Sequence, residues 1–438
     1  MSEHTTARVV ALDALLRIED GAYAHVVVPA MLTQSKLSDR DRAFATDLVY
    51  GTVRAQRRLD DLIGRVVKRP IPRLDPPVRA ALRLGAYQLL HDTPPHAAVA
   101  STVDAVGARS PRARGFVNAN LRALTRLPRP FPEPESDAIA LSYPDWLVDR
   151  LRTEFGADSA RAAMVAMNEP AAVTLRPDPR RVTGAALAEE LRAAGAEVEL
   201  GRLVRDAVIV RGVGDPARLP AVRDGRATPQ DQGSQAVVVA LAPMPGERIA
   251  DLAAAPGGKS TAIAERVGPT GSVVALDVHA GRVRMIDGAR HRIGLPQLFP
   301  VVGDGRTPGL RTAAFDRVLL DAPCSGIGVL RRRPDARWRL QPDAISDLAA
   351  LQRDLLAAAG PLVRPGGVLV YSVCTLTSAE TIGIDEWAGA HLPDFVAAAP
   401  PGAPWTPRGR GALLLPQTAG TDGMFVLVLQ RSSGPDAV

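Results

Sequence analysis

From residue 245 onward, five short apolar runs, ERIADL, SVVALDV, LFPVVGD, DRVLLDAP and GVLVYSV, alternate with Ala- and Leu-rich helical stretches. Repetition of strand, turn and helix in this way argues for a parallel, doubly wound sheet with helices on its faces. Ligands of such sheets bind beyond the carboxyl ends of the strands. The residues at those ends are therefore where chemistry is expected. The closing stretch, ALLLPQTAGTDGMFVLVLQ, reads as two further strands around a Gly-rich turn.

The first part of the chain has a different period. ARVVALDALLRI, RDRAFATDLVYGTV, LDDLIGRVV, PPVRAALRLGAYQLL, AAVASTVDAVGA and ARGFVNANLRAL repeat apolar residues at three- and four-residue spacings, as helices with one buried face do. Proline then stands at every second position from Pro128 to Pro134, which predicts an extended linker. Between the linker and the α/β region, VTLRPD, AEVEL and AVIVRG read as short strands around the helix GAALAEELRAAG. The expected division is a helical domain over 1–127, a linker over 128–136, a small α/β region over 137–235, an α/β domain over 236–432 and a tail over 433–438.

Charge follows the same division. Residues 1–126 carry 19 Lys and Arg against 12 Asp and Glu, a net of +7, and the remainder is close to neutral. A basic helical module suits a polyanion partner such as nucleic acid. The chain contains two cysteines, Cys324 and Cys374, too few for a disulfide framework or a four-cysteine zinc site. No metal is expected. A reducing, cytoplasmic setting follows, and the apolar runs are too short or too broken to span a bilayer.

Four strand ends carry acids. The first continues through DLAAAPGGKS, from Asp251 to Ser260, where small residues and Gly257–Gly258 let backbone approach a ligand at a helix N-terminus. Asp277 follows the second run, Asp304 the third and Asp321 the fourth. Asp277 lies about 20 residues beyond the Gly-rich loop, the spacing at which an acid accepts ribose hydroxyls. Four acids suit a neutral or cationic nucleoside such as S-adenosylmethionine and would repel a triphosphate. A relaxed phosphate loop ending in Gly258-Lys259-Ser260, with Asp321 as the magnesium acid, is the rival reading and makes the chain a nucleotide triphosphatase.

Both cysteines fall at neighbouring strand ends, Cys324 in DAPCSGIG and Cys374 in VYSVCTLTSAE. A lone cysteine is most often a small apolar core residue, but two beside one ligand loop suggest a thiolate nucleophile for an electron-poor ring. After Cys324 comes LRRRPDARWRL, in which Arg331, Arg332, Arg333, Arg337 and Arg339 surround Trp338. The arginines are expected to grip RNA phosphates and the tryptophan to stack on a base.

With these residues in hand, the chain resembles the RsmB (Sun)-type ribosomal RNA cytosine-carbon-5 methyltransferases, within the wider NOP and NSUN family. DLAAAPGGKS resembles the family's cofactor loop, ALDV its ribose-binding strand end, and DAPCSGIG and YSVCT its two cysteine motifs. ALRLGAYQLL and GFVNANLRAL look like the NusB-like RNA-binding domain that precedes this enzyme type, and MNEPAAVTLRPD and QDQGSQ like its intermediate region. The resemblance implies an all-α NusB-like domain, a small α/β middle region and a Rossmann-like methyltransferase domain. It implies that Ala253, Ala254, Ala255, Pro256, Gly257, Gly258 and Lys259, with Asp277, Asp304 and Asp321, bind S-adenosylmethionine. Cys374 would be the nucleophile, Cys324 the product-release residue and Asp321 the base-positioning residue, with Lys259 beside them in the catalytic set. The substrate would be a cytosine of small-subunit (16S) ribosomal RNA, free or in an assembly intermediate, and the enzyme a monomer.

Two departures from the family pattern stand out. Ala253 occupies a position that is often cysteine. Ser378-Ala379-Glu380-Thr381-Ile382 replaces the common Pro-Glu-Glu-Asn-Glu after the second cysteine motif. Besides the triphosphatase, a non-catalytic RNA-binding or ribosome assembly factor is the remaining alternative, and a DNA target a weaker variant.

Overall fold

The computed structural model describes residues 6–433, so residues 1–5 and nearly all of the expected 433–438 tail lie outside the described residues. The chain divides into two compact units, one running to Arg152 and taking in Arg332–Arg339, the other comprising Thr153–Arg331 and the chain from Leu340 onward. Among the described residues no helix is long and apolar enough to cross a membrane.

The first unit is helical: α1 (Ala7–Glu19), α2 (Ala24–Gln34), α3 (Asp39–Arg54), α4 (Gln56–Gly64), α5 (Pro76–Leu90), α6 (Pro95–Gly107) and α7 (Arg114–Leu124). Thr6 and Ser38 cap α1 and α3 by accepting from the Val9 and Asp41 amides. Helix α5 is the axis of the unit. Its residues from Ala80 to Leu89 are buried apart from Arg83, and Leu82, Leu84 and Leu89 pack with Leu12, Leu48, Leu59, Leu62 and Ile63. The alternating prolines do not make a free linker. Phe131 packs on this core, the Arg129 guanidinium lies 3.8 Å over the Phe131 ring, and Arg58 donates to the Pro132 carbonyl at 2.6 Å. The stretch is a strap, because its carbonyls and one aromatic side chain find partners on the helices. Beyond it, α8 (Asp137–Ala140) and most of α9 (Asp145–Phe155) pack with this unit. Buried Tyr143 and the bonds from Arg57 to the Tyr143 carbonyl and Asp145 hold them there.

The second unit starts with the end of α9 and with α10 (Ala157–Ala166), and contains two sheets. The small one is antiparallel, built from β1 (Val173–Pro177), β2 (Glu197–Leu200), β3 (Val208–Arg211) and β4 (Ala227–Pro229) in the order β2-β3-β1-β4. Helices α11 (Gly184–Ala193) and α12 (Pro220–Arg223) accompany it; α11, capped by Thr183, buries Leu187 and Leu191 in its core. After α13 (Gln232–Leu241) the doubly wound pattern appears as β5 (Arg248–Asp251), α14 (Gly258–Val267), β6 (Ser272–Asp277), α15 (Ala280–Ile293), β7 (Leu298–Val302) and β8 (Phe315–Asp321). The short helix α16 (Ala336–Arg339) lies in the first unit, and α17 (Ala344–Ala359), β9 (Val363–Val373) and α18 (Ile382–His391) complete the series.

Strands β7, β6, β5, β8 and β9 run parallel in that order. The expected C-terminal strands are β12 (Gly411–Leu414) and β13 (Met424–Arg431), separated by the short helix α19 (Pro416–Ala419). Two more, β10 (Phe395–Ala397) and β11 (Thr406–Arg408), were not legible in the sequence. All four are antiparallel additions beside β9, so the sheet is mixed rather than purely parallel. Chain order reverses between β5 and β8, which places the ligand crevice at their carboxyl ends.

Candidate active site

The loop after β5 is shaped by its backbone. Gly257 has φ of +101°, and a Cβ there would lie 3.2 Å from the Ile286 Cα, so only glycine closes this turn without strain. The Gly257 amide donates to the Ala254 carbonyl at 2.8 Å, and the Ala254 amide to the Leu276 carbonyl of β6 at 3.0 Å. Ala253, Ala254, Ala255, Pro256 and Gly258 thereby form a loop against the neighbouring strand, leading into the first turn of α14. Asp251 is fully buried beneath it, and Ser260 donates to one of its oxygens at 2.7 Å. Burial pushes the Asp251 carboxyl up to about 7; the Asp321 charge adds to this, and the Ser260 bond opposes it.

Asp277 ends β6 almost fully buried. Its oxygens accept the Ala255 amide at 3.2 Å and the His279 amide at 3.0 Å. Each oxygen keeps a lone pair for a hydroxyl donor. Asp304, just past β7, is half-buried and chelated by Arg306, whose hydrogen bonds hold its carboxyl down at about 2. This donor set fits a nucleoside with ribose hydroxyls and a positive centre: two carboxylates follow adjacent strands, and the glycine loop brings backbone close.

At the end of β8, Asp321 faces the other side of the crevice. The Lys259 ammonium donates to one Asp321 oxygen at 2.6 Å, and the Ser372 hydroxyl donates to the other at 2.7 Å. Burial disfavours the Lys259 charge, but Asp321 outweighs it and holds the pKa above its ordinary value, with the neighbouring Cys374 adding to the effect. The lysine of the Gly258-Lys259-Ser260 loop is thus committed to a carboxylate.

The two thiols meet here. Cys324 Sγ and Cys374 Sγ are 3.4 Å apart. Hydrogen bonding to Cys374 and burial, with the charges of Cys374, Glu380 and Asp321, raise the Cys324 thiol well above its ordinary range. Cys374 is the thiol near the Lys259 cation. Their loops interlock through backbone. The Gly328 amide donates to the Cys374 carbonyl at 3.0 Å, the Ala322 amide to the Ser372 carbonyl at 2.9 Å, and the Gly423 amide to the Gly328 carbonyl at 2.8 Å. A Cβ at Gly328 would stand 2.2 Å from the Gly423 oxygen, so this approach too requires glycine.

Sequence reasoning singled out no residue within the segment that diverges from Pro-Glu-Glu-Asn-Glu, yet Glu380 in it is wholly buried. It accepts from the Ser325 amide and hydroxyl, the Thr375 and Thr377 hydroxyls and the Gln352 amide, at 2.6–3.0 Å. The signal was a carboxylate set among hydroxyl residues that directly follow the two cysteines. Arg176 of β1 was also missed. It is buried, pairs with Glu265 at 2.7 Å and donates to the Gly258 carbonyl at 2.7 Å, which anchors α14 to the small sheet.

The arginine run is distributed differently from expectation. Arg331 donates to the Gly420 carbonyl at 2.7 Å, and Arg332 and Arg333 are exposed. The remainder packs inside the helical unit. Arg337 has no exposed surface; its guanidinium lies 3.9 Å over the Tyr143 ring and donates to the Ser142 carbonyl. Trp338 donates to the Val53 carbonyl at 2.8 Å, and Arg339 sits over Tyr23 and donates to the Gly21 carbonyl. This corrects the RNA-gripping role expected of Arg337, Trp338 and Arg339: each bonds a backbone carbonyl within the helical unit, and both arginines lie over aromatic rings.

Comparison with known proteins agrees with this geometry. Residues 238–430 match the family profile described as 16S rRNA methyltransferase RsmB/F, residues 5–126 the NusB family, and residues 143–215 the Methyltr_RsmF/B-like, ferredoxin-like domain. A Mycobacterium tuberculosis protein that carries a methyltransferase name without a stated substrate is 40% identical, covering 94% of this chain and 93% of its own. The ribosomal RNA small subunit methyltransferase B of Sodalis glossinidius is 34% identical over 97% of this chain and 98% of that protein. Among solved structures, the crystal structure of PH0851 has a TM-score of 0.85 at 25% identity and covers 98% of this chain and 100% of its own.

Proposed function

The chain belongs to the RsmB/F family of 16S rRNA methyltransferases, and from that premise we propose that it methylates carbon 5 of a cytosine in small-subunit ribosomal RNA through a transient Cys374–cytosine bond. The single observation that carries the covalent route is the Cys324–Cys374 pair, 3.4 Å apart at neighbouring strand ends. A triphosphatase needs Lys259 for phosphates, whereas Lys259 is bonded to Asp321. A non-catalytic assembly factor has no use for the paired thiols.

S-adenosylmethionine is the methyl donor of this family and, when bound, supplies an electrophilic methyl group. The residues that would hold it are the Ala253–Lys259 loop with Asp277, Asp304 and Asp321. Cys374 thiolate adds to carbon 6 of the base, forming the S–C bond and moving the ring's 5,6 double-bond electrons toward carbon 5. Asp321 orients the base near ring nitrogen 3, and Lys259 balances the charge. Carbon 5 uses these electrons to bond the methyl group while the donor leaves as a neutral thioether, and Cys324 then assists removal of the carbon-5 proton. The electrons of that C–H bond restore the ring double bond and expel Cys374 as thiolate. The basic NusB-like module, at a net of +7 over residues 1–126, supports an RNA substrate.

The test is incubation with methyl-labelled S-adenosylmethionine and unmethylated 16S rRNA, free or in small-subunit particles, with mapping of 5-methylcytosine. Cys374→Ser is expected to lose on the order of a thousandfold or more in rate, as a nucleophile knockout does. Cys324→Ala is expected to accumulate a covalent RNA–protein adduct on denaturing gels. Methylation by Cys374→Ser at the wild-type rate would overturn the covalent route.

A further inference from the structure

We propose that Glu380 is the positioning residue of the two-thiol centre: its carboxylate ties the Cys324 loop to the Cys374 loop and sets the distance between the sulfurs. The inference rests on the proposed role of the two cysteines.

The ties are specific. One Glu380 oxygen takes the Ser325 amide at 2.8 Å and Gln352 at 3.0 Å; the other takes the hydroxyls of Ser325, Thr375 and Thr377 at 2.6, 3.0 and 2.8 Å. Ser325 directly follows Cys324, and Thr375 directly follows Cys374, so one buried carboxylate grips both loops one residue beyond each sulfur. The Ser325 and Thr375 hydroxyls also meet each other at 2.6 Å. Gln352 extends the grip to the Pro323 carbonyl at 2.9 Å, on the other side of Cys324. Below, the Tyr371 hydroxyl shares its one proton between the Gln352 side-chain oxygen at 3.0 Å and the Glu380 carbonyl at 2.9 Å, fixing the hub to β9.

A buried carboxylate is costly unless its lone pairs are filled, and two amides and the surrounding hydroxyls fill these. The same cost makes the arrangement stiff. Either cysteine loop can move only by leaving a buried charge short of donors. A nucleophile and its release partner must be held to a fraction of an ångström, because a displacement of about 1 Å costs roughly a hundredfold in rate.

The experiment uses the fact that the chain holds two cysteines and no others. The azo oxidant diamide converts two neighbouring thiols to a disulfide, taking up their two protons and two electrons, so the rate of thiol loss in the full-length protein reads the approach of these two sulfurs. It requires neither RNA nor S-adenosylmethionine. In Glu380→Ala, disulfide formation is expected to slow by about tenfold and kcat to fall by about a hundredfold, with KM for S-adenosylmethionine within about twofold. Glu380→Gln keeps the shape and can still accept the Ser325 amide while the hydroxyls turn to accept; it is expected to recover most of both. Should Glu380→Ala fail to fold, Thr377→Ala and Ser325→Ala each remove part of the hub and are expected to show the same two losses in smaller degree. Folded variants that form the disulfide at the wild-type rate would overturn the proposal. Slowed disulfide formation in a protein that methylates no cytosine would retain the positioning role and reject the catalytic reading on which it rests.

Discussion

The two halves of the crevice are built by different means. On the β5–β6 side, the loop after β5 owes its shape to main chain: a positive φ at Gly257, loop amides on loop carbonyls, and the Asp277 carboxylate on two backbone amides. On the β8–β9 side, the cysteine loops are fixed by buried side chains converging on Glu380. The difference suits the tasks proposed for them. A loop that receives a cofactor needs its backbone close and its side chains out of the way, whereas two sulfurs that act in turn on one base need fixed separation.

Lys259 is where the halves meet, since it leaves the cofactor helix and bonds Asp321 beside Ser372. Lys259→Met should therefore damage both, and it carries the largest expected effect among tests of this contrast. The rate should fall by on the order of a hundredfold, through both kcat and KM for S-adenosylmethionine. Stability should drop by about 2 kcal/mol, less than for a wholly buried pair because Asp321 keeps some exposure. Steady-state kinetics with urea unfolding checks both. A change confined to KM would place Lys259 in the cofactor half alone.

Gly257→Val probes one side only. The added carbons meet Ile286 and force φ of +101° on a β-branched residue. KM for S-adenosylmethionine should rise by at least about tenfold, while diamide oxidation of the two thiols stays at the wild-type rate. Slowed oxidation in this variant would show that the halves are not separately built.

That division also decides what could be read in the sequence. Backbone-built features announce themselves: glycine at Gly257–Gly258, acids after successive apolar runs, and the alternation that gives β5 to β9. Side-chain-built features depend on long-range approach. Glu380 reaches Ser325 across 55 positions, and no local pattern reports that distance. Arg337 looks like any exposed arginine in a basic run until Tyr143, almost 200 positions away, is placed beneath it. The Pro128–Pro134 stretch misled for a related reason. Extended backbone is equally suited to a linker or a strap, and Phe131 with the Arg58 bond to Pro132 decides for the strap. Strands β10 and β11 escaped because three residues carry no measurable period.

Asp251 offers a gentler test of the cofactor half, through pH. Its carboxyl rises from an ordinary 3.8 to about 7 in the folded chain, so the folded state holds the proton more tightly. For an acid shifted upward, the associated stability is fully present below the unfolded value and is lost as pH rises through the folded one. Wild-type stability should carry a loss from this group across roughly pH 4 to 7, with a slope of at most about 1.4 kcal/mol per pH unit. Asp251→Asn should remove that part of the slope and leave the thiol chemistry unchanged. Urea unfolding at pH 5 and pH 7 gives the difference, and equal slopes in the two proteins would mean that Asp251 titrates as if solvated.

The smallest effect is expected at Arg333, in the arginine run, where exposed residues are followed by packed ones. Arg333 is exposed, and Arg337 is enclosed between Tyr143 and the Ser142 carbonyl. An exposed arginine that meets phosphate contributes through counterion release, so Arg333→Ala should reduce the slope of log affinity for ribosomal RNA against log salt by about 0.7–0.9. Its stability should stay within about 0.5 kcal/mol of wild type. Arg337→Ala should do the opposite. It should leave the salt slope unchanged while costing about 2 kcal/mol, because the Ser142 carbonyl loses a donor and Tyr143 its stacked cation. Filter binding across a salt series, with thermal melting of both variants, separates the two. An unchanged slope in Arg333→Ala would leave RNA contact to the basic helices of the NusB-like module, where the net charge of residues 1–126 already resides.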